Sequence, residues 1–262
     1  MHKVYSLQNT TIRHYLKKLY FFGLHQYCPV CKSSIRRFRH SPHNRPFMRE
    51  IGVISELSAQ HDQCPICYSK ARQRTLHAFL VNYCKLEARS WNVLSIAPEY
   101  SISIFLRRCA KLNLVCGDLE PERYKKRSDR FVCLDLTSLP FGSESFDLVI
   151  CSHVLEHIVD DRTAMHEMFR VLRPGGRAAI MVPTALKRSR TLEDPGVVDP
   201  AERSRRFGQH DHVRVYARDI VDRLAEAGFT ITEFNGPLGQ PIPQAGLWHL
   251  ADDIVFDAVK RQ

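Results

Sequence analysis

No stretch of this 262-residue chain approaches the roughly 18 consecutive apolar residues that a membrane-spanning helix needs. The start, Met1-His2-Lys3-Val4, lacks a long apolar signal core and a cleavage site, so a cytoplasmic protein is expected. Acidic residues are scarce in the first third. Residues 1–90 hold four Asp/Glu against fifteen Lys/Arg, net +11, whereas residues 91–262 are net −1. A segment so poor in acid attracts polyanions: nucleic acid, phosphorylated sugars or an anionic membrane face. No aromatic-rich RNA-binding motif accompanies that charge. Apolar residues make up 44% of the chain, which excludes a disordered protein, and the length suits one large or two smaller domains.

Nine cysteines are present. Cys84, Cys109, Cys116, Cys133 and Cys151 lie in apolar contexts, where a thiol behaves as a small hydrophobe. The other four form two pairs, Cys28-Pro29-Val30-Cys31 and Cys64-Pro65-Ile66-Cys67. That division fits a reducing compartment. A Cys-x-x-Cys turn aims two sulfurs at one cation, and two such turns complete a tetrahedral S₄ shell around a structural zinc ion. The expected ligands are Cys28, Cys31, Cys64 and Cys67. One pair alone reads equally as a redox motif. The 32 residues between the pairs exceed the spacer of a compact zinc ribbon, so the basic segment with Arg36, Arg37, Arg39, Arg45 and Arg49 is expected to loop out. Lys32 and Tyr68 come directly after the two pairs, at positions where the turn calls for positive φ and glycine is common.

Leu76, Phe79, Leu80 and Tyr83 form a helical stripe over 71–84, read as the helix that joins the zinc module to the larger C-terminal domain. Residues 11–24 are basic and aromatic, and are expected to pack on the domain rather than lie on a membrane surface. Peripheral membrane contact stays open as the second reading.

From Trp91 onward short apolar runs alternate with amphipathic stretches. Strands are expected at 91–96, 114–116, 131–134, 147–151, 178–182, 230–235 and 253–260. Helices are expected at 101–112, at 216–228 and after Asp160, the last with Met165, Met168, Phe169 and Leu172 on its core face and Pro174-Gly175-Gly176 as its stop. This alternation predicts βαβ units in a parallel sheet covered on both faces, an α/β fold. Ligands of such sheets bind at the carboxyl ends of the strands.

Four segments resemble the class I S-adenosylmethionine-dependent methyltransferases of the type 11 group. They are Val93-Leu94-Ser95-Ile96-Ala97-Pro98-Glu99; Asp118, at the end of the second strand; Asp135 through Phe141; and Ser145 through His157, with Val171-Leu172-Arg173-Pro174-Gly175-Gly176 after it. The CPxC pairs look like those of a bacterial subgroup that carries an N-terminal zinc module and also has Ala-Pro-Glu in place of the glycine-rich loop. The resemblance implies a Rossmann-like S-adenosylmethionine-binding domain over 89–262 behind a basic zinc module and linking helix over 1–88. It places Ala97, Pro98, Glu99, Asp118, Asp135, Leu136, Ser152 and His153 around the cofactor. Asp118 would accept from the ribose hydroxyls and Asp135 from the adenine amino group, with Leu136 on the ring face. The family's usual acidic-x-Gly-x-Gly loop is altered here. Glu99 would replace the lost acid at the cofactor's ammonium, and Ala97 is small enough for a close approach.

Residues 184–216 interrupt the fold between the fifth strand and the next helix, and loops of this length are usually functional. Within or beside it, His157, His210 and His212 are candidate catalytic groups. Glu193 and Asp211 are further candidate bases or orienters, Arg206 and Arg214 candidate clamps for an anionic acceptor. His210-x-His212 with Asp211 also reads as a metal motif. The leading expectation is methyl transfer to an O or N of a polar acceptor that the basic segment allows to be anionic, with a sugar or envelope-glycan precursor favoured. Two alternatives stand beside it. One is an RNA methyltransferase that uses the basic zinc module, since a bacterial ribosomal RNA methyltransferase family has a comparable one. The other is a non-catalytic zinc-containing binding protein with a degenerate cofactor loop.

Overall fold

The computed structural model describes residues 15–40, 46–53, 62–124, 131–235 and 253–261. Arg45 and residues 11–14 of the basic aromatic segment lie outside these described residues.

The chain opens with helical residues 15–21 and a hairpin of β1 (Gln26–Cys28) and β2 (Ser33–Ile35). Helix α1 (Pro46–Glu50) and helix α2 (Ala71–Ala78) come next, and α2 runs on into one π-helical turn, Phe79–Tyr83. The large sheet is built from β3 (Trp91–Ile96), β4 (Leu112–Asp118), β5 (Phe131–Cys133), β6 (Phe146–Ser152) and β7 (Leu172–Met181). Helix α3 (Tyr100–Arg108) connects β3 to β4, and helix α4 (Asp161–Val171) connects β6 to β7. A short hairpin of β8 (Leu192–Glu193) and β9 (Arg214–Val215) brackets helix α5 (Pro200–Phe207). Helix α6 (Ile220–Glu226), β10 (Thr230–Asn235) and β11 (Ile254–Val259) complete the chain.

Seven strands pair in the order β10-β11-β7-β6-β3-β4-β5. The five from β7 to β5 are parallel, as the alternation predicts. The last two are not: β11 runs antiparallel to β7 and β10 antiparallel to β11. The fully parallel sheet expected from the sequence is corrected on that edge. β10 and β11 succeed one another without an intervening helix among the described residues, so they pair as an antiparallel couple.

Successive strand residues alternate between the faces of the sheet, and both faces are buried. Leu94, Val149, Cys151, Ala178 and Ile180 point to one core, against Met165 and Met168 of α4 and Ile220 and Leu224 of α6. Val93, Leu148, Ile150, Ala179 and Met181 point to the other, against Phe105 and Leu106 of α3 and Phe79 and Leu80. The four paired cysteines belong to this second core. The basic N-terminal segment and the sheet therefore share one apolar interior.

Three local expectations are corrected. Helix α4 is capped by Asp160, whose Oδ1 accepts from the Thr163 amide at 3.0 Å, but it ends at Val171, so Leu172 opens β7 rather than closing the helix. Pro174-Gly175-Gly176 lies inside β7 as an irregularity. Gly175 takes φ 76° and its amide donates to the Lys260 carbonyl at 2.8 Å. The spacer between the cysteine pairs does not simply loop out. Met48 of α1 and Val53 bury against Ala185, Val197, Phe207 and Val215, and Val53 bridges Ala185. Residues 15–24 pack only in part: Phe21 lies against the second core, whereas Tyr15, Leu16, Leu19, Tyr20, Phe22 and Leu24 are all more than half exposed. No helix among the described residues is long and apolar enough to cross a membrane.

Candidate active site and candidate metal centre

At the carboxyl edge of β3, β4, β5 and β6 lies a cavity of about 590 Å³. Its walls include Ile96 and Ala97 after β3, Asp118 to Glu120 after β4, Leu134 to Thr137 after β5, and His153, Val154, His157 and Ile158 after β6. The volume lies in the range of sites that enclose a small molecule. Two wall residues without the freedom of glycine sit in the left-handed region, Ala97 at φ 43° and His153 at φ 55°. Backbone strain of this kind persists where the surroundings hold it. Here the Ala97 amide donates to Gly117 O at 2.8 Å and the His153 amide to Met181 O at 2.8 Å. A glycine-rich loop meets the same geometric demand without strain, and at Ala97 a small side chain meets it instead.

Asp118 and Asp135 are both in the wall. Each uses Oδ1 to close its own turn: Asp118 accepts from the Glu120 amide at 2.8 Å, Asp135 from the Thr137 amide at 2.8 Å and hydroxyl at 2.7 Å. The turns fix the carboxylates, and Leu136 lies in the same wall.

Glu99, expected to face the cofactor's ammonium, has its carboxylate engaged elsewhere. Oε1 accepts from Arg72 at 2.5 Å and from Gln73 at 2.6 Å, and Ser152 Oγ lies 3.3 Å from Oε2. Burial pushes the Glu99 carboxyl up, but Arg72 and His153 outweigh it and hold it below the usual carboxylate range. Neither Glu99 nor Pro98 nor Ser152 is among the cavity's lining residues. Sequence reasoning missed this tie between α2 and the cofactor loop. The only signal was the position of Arg72, five residues after the second cysteine pair.

The acceptor-side candidates separate. His157 lines the cavity, and its Nδ1 lies 3.3 Å from Asp211 Oδ2, itself a wall residue. His212 sits behind it, 3% exposed, with the rings 4.7 Å apart and edge to face, and its Nδ1 meets Phe207 O at 3.0 Å. His210 is turned to solvent, its side chain 71% exposed. His210-x-His212 is therefore not a chelating pair; His157 takes the place of His210. Glu193 and Arg214 are also corrected. Arg214 is buried and donates to the carbonyls of Leu155, Ile158 and Val159 and to Glu193, so it holds a turn rather than an acceptor. Glu193 is shared by Arg223 and Arg214. Arg206 pairs with Asp194 at 2.8 Å.

Across the second core the four cysteine sulfurs converge. Cys28 Sγ lies 3.6 Å from Cys67 Sγ, Cys31 Sγ lies 3.8 Å from Cys64 Sγ, and all four are within 4.8 Å of one another. A tetrahedral zinc shell with Zn–S of about 2.3 Å has S–S edges of about 3.8 Å. Lys32 and Tyr68 adopt φ 50° and 62°, the positive values that two knuckle turns require. The Ile66 amide reaches Cys64 Sγ at 3.4 Å, and Ser69 Oγ lies 3.3 and 3.2 Å from Cys28 and Cys67. The residues fit a structural zinc ion. Four thiolates around a divalent cation leave a doubly negative cluster, and the fully buried Arg74 lies beside it, stacked on Phe38 at 4.0 Å.

Residues 99–180 match the family described as a methyltransferase domain. Among curated proteins, the chain is 43% identical over 67 residues to a demethylmenaquinone methyltransferase of Clavibacter sepedonicus, covering 24% of this chain and 27% of that one. It is 32% identical over 153 residues to a malonyl-[acyl-carrier protein] O-methyltransferase of Halorhodospira halophila, covering 55% and 49%. The chain thus spans half or less of the length of these relatives. Among solved structures, the CurJ carbon methyltransferase superimposes with a TM-score of 0.50 at 15% identity, over 74% of this chain and 56% of that one, a likeness of fold. Residues 99–180 are thus similar to a methyltransferase domain, within a sheet whose fold is like that of the CurJ carbon methyltransferase.

Proposed function

We propose that the protein transfers a methyl group from S-adenosylmethionine to an O or N of a polar acceptor. The observation that carries this reading is the cavity at the strand ends, with Asp118 and Asp135 fixed in its wall by their own turns. The second oxygen of Asp118 is the acceptor for the ribose hydroxyls, and that of Asp135 for the adenine amino group, with Leu136 against the ring. Ala97 and His153 bring backbone close to the methionine end. Glu99 acts from behind, tying the cofactor loop to α2 through Arg72 and Gln73. When bound, S-adenosylmethionine supplies a methyl on a sulfonium, for an in-line displacement in which the acceptor's lone pair forms the new bond as the carbon–sulfur bond breaks. The chain positions the acceptor and excludes water. A hydroxyl acceptor gives up its proton at the His157 end of the cavity, where Asp211 orients the ring; a free amine needs no base. The cysteine cluster is read as a structural zinc site within residues 1–88, and the catalytic part as residues 89–262.

Calorimetry with S-adenosylhomocysteine tests the cofactor site. Asp118→Ala removes hydrogen bonds to a charged group worth about 1.5–3 kcal/mol, so affinity should fall about 10- to 100-fold. Unchanged affinity in a folded variant would remove Asp118 from the ribose role, and no binding by the unaltered protein would favour the non-catalytic reading.

The family match ends at residue 180, before the acceptor-side insertion, so the acceptor is argued from this chain alone. A sugar or envelope-glycan precursor is the first reading. One observation favours RNA as the second: Arg36, Arg37, Arg39 and His40 line a groove of about 600 Å³ with Tyr20, Phe21 and Phe38. If the groove takes a polyanion, binding to an RNA pool should weaken tenfold or more between about 50 and 200 mM salt, through counterion release. Reversing Arg36, Arg37 and Arg39 to Glu should then abolish it while S-adenosylhomocysteine binding persists. A flat salt response with a methylated glycan acceptor decides for the first reading.

A further inference from the structure

Beside the cofactor cavity, Glu156, His157 and His212 offer three ligand atoms that all lie within 4.8 Å of one another. Glu156 is 1% exposed, and neither of its carboxylate oxygens has a hydrogen-bond partner among the described residues. His153 Nδ1 lies 3.3 Å from Oε1, at ion-pair distance but short of hydrogen-bond geometry, and Oε2 has no such neighbour among the described ion pairs. An ionisable carboxylate buried in this way is costly unless a cation or donor faces it. Both histidines are held as metal-ligating histidines are. His212 turns Nδ1 to the Phe207 carbonyl at 3.0 Å, which can only accept, so that nitrogen carries the proton. His157 turns Nδ1 to the Asp211 carboxylate at 3.3 Å. A carbonyl or carboxylate on one ring nitrogen fixes the tautomer that presents the lone pair of Nε2 to a metal.

We propose that Glu156, His157 and His212 form a second cation site, distinct from the four-cysteine cluster, that binds a divalent transition-type metal through one carboxylate and two imidazoles. Two imidazoles and a carboxylate suit zinc and its neighbours in the first row rather than magnesium or calcium. Ligand bonds of about 2.0–2.2 Å need donor edges of about 3.4 Å, so any wider edge of the trio closes on loading. Three protein ligands leave a coordination position open. His157 lies in the cavity wall, so that position faces the acceptor mouth. There a cation binds an acceptor oxygen and lowers the pKa of its hydroxyl, so that its proton passes to solvent water before the methyl is transferred and the oxygen lone pair attacks the methyl carbon. This deepens the methyl-transfer reading by assigning His157 to the metal and favouring an oxygen acceptor. The site itself does not depend on that reading.

The full chain, with the cysteine site filled by zinc, is titrated with Co²⁺ at neutral pH by calorimetry and visible absorption. The expected result is a single additional Co²⁺ per chain, with weak ligand-field bands and no rise in the intense thiolate charge-transfer band. His157→Gln and Glu156→Gln should each weaken this binding by more than tenfold, and Asp211→Asn by about tenfold, the lower end for a residue that orients a ligand. Zinc content and melting temperature report on the fold of each variant. His157 is half-buried, so the first variant decides even if the Glu156 change prevents folding. No additional Co²⁺ in the unaltered protein, or unchanged affinity in His157→Gln, overturns the site. Co²⁺ bound at these residues without S-adenosylhomocysteine binding supports the cation site and counts against the methyltransferase reading.

Discussion

Cys28→Ser or Cys64→Ser is expected to lose the metal and about 10 °C or more of thermal stability together. Structural zinc contributes apparent free energies of about 10–16 kcal/mol in small modules. In chains of this size each kcal/mol moves the midpoint by about 2–4 °C, so losing even a third of that range gives the expected shift. The loss reaches the sheet because the cysteines share their core with Val93, Leu148, Ile150 and Phe105. It also reaches the cofactor loop. Helix α2 begins within four residues of Cys67, and its Arg72 and Gln73 hold Glu99. S-adenosylhomocysteine affinity should therefore fall in the same variants. Metal analysis and thermal melts check the claim. Protein purified without chelator that is metal-free and melts unchanged would reject the zinc assignment.

Arg214→Met is expected to destabilise the fold by about 3–5 kcal/mol, the range found when one partner of a buried ion network is removed. The Arg214 side chain is 6% exposed, as is its neighbour Asp161 at 5%. Its guanidinium satisfies the carbonyls of Leu155, Ile158 and Val159 and pairs with Glu193. Removing it leaves three acceptors and a share of two carboxylates without a cation, in the turn that carries His157. Arg214→Lys keeps the charge but not the planar fork, and should fall between the two. Urea denaturation measures both; a change below about 1 kcal/mol in Arg214→Met, inside the ordinary surface range, would show the network to be incidental. The same network sets an acid limit. Hydrogen bonds from Arg223 and then Arg214, against burial, hold the Glu193 carboxyl down from 4.5 to about 2. Because the folded value is the lower one, this contribution is complete above the ordinary carboxylate value and is lost as pH falls from there towards 2.

By itself the sequence determined most of the sheet's strands and the convergence of the cysteine pairs. Val93-Leu94 and Leu148-Val149-Ile150 are apolar at every position because both faces of their strands are buried, and that pattern needs no partner to be read. The CPxC repeats announced an S₄ site because the spacing within each turn is local. Asp118 and Asp135 were legible at strand ends because each closes its own turn with residues two positions on. Tertiary structure alone decided what depends on segments far apart in the chain. Glu99 faces Arg72 and Gln73, 27 and 26 residues earlier, rather than the cavity. Arg214 serves carbonyls 55 to 59 residues away instead of an acceptor. The spacer at Met48 and Val53 packs on the insertion, a contact no local pattern announces because its partners Phe207 and Val215 lie far along the chain. His157 meets His212 across 55 residues while His210 turns to solvent, since His210 sits at the tip of the turn that the His212 amide closes onto the Gln209 carbonyl, and His212 leaves that turn beside the buried Glu156.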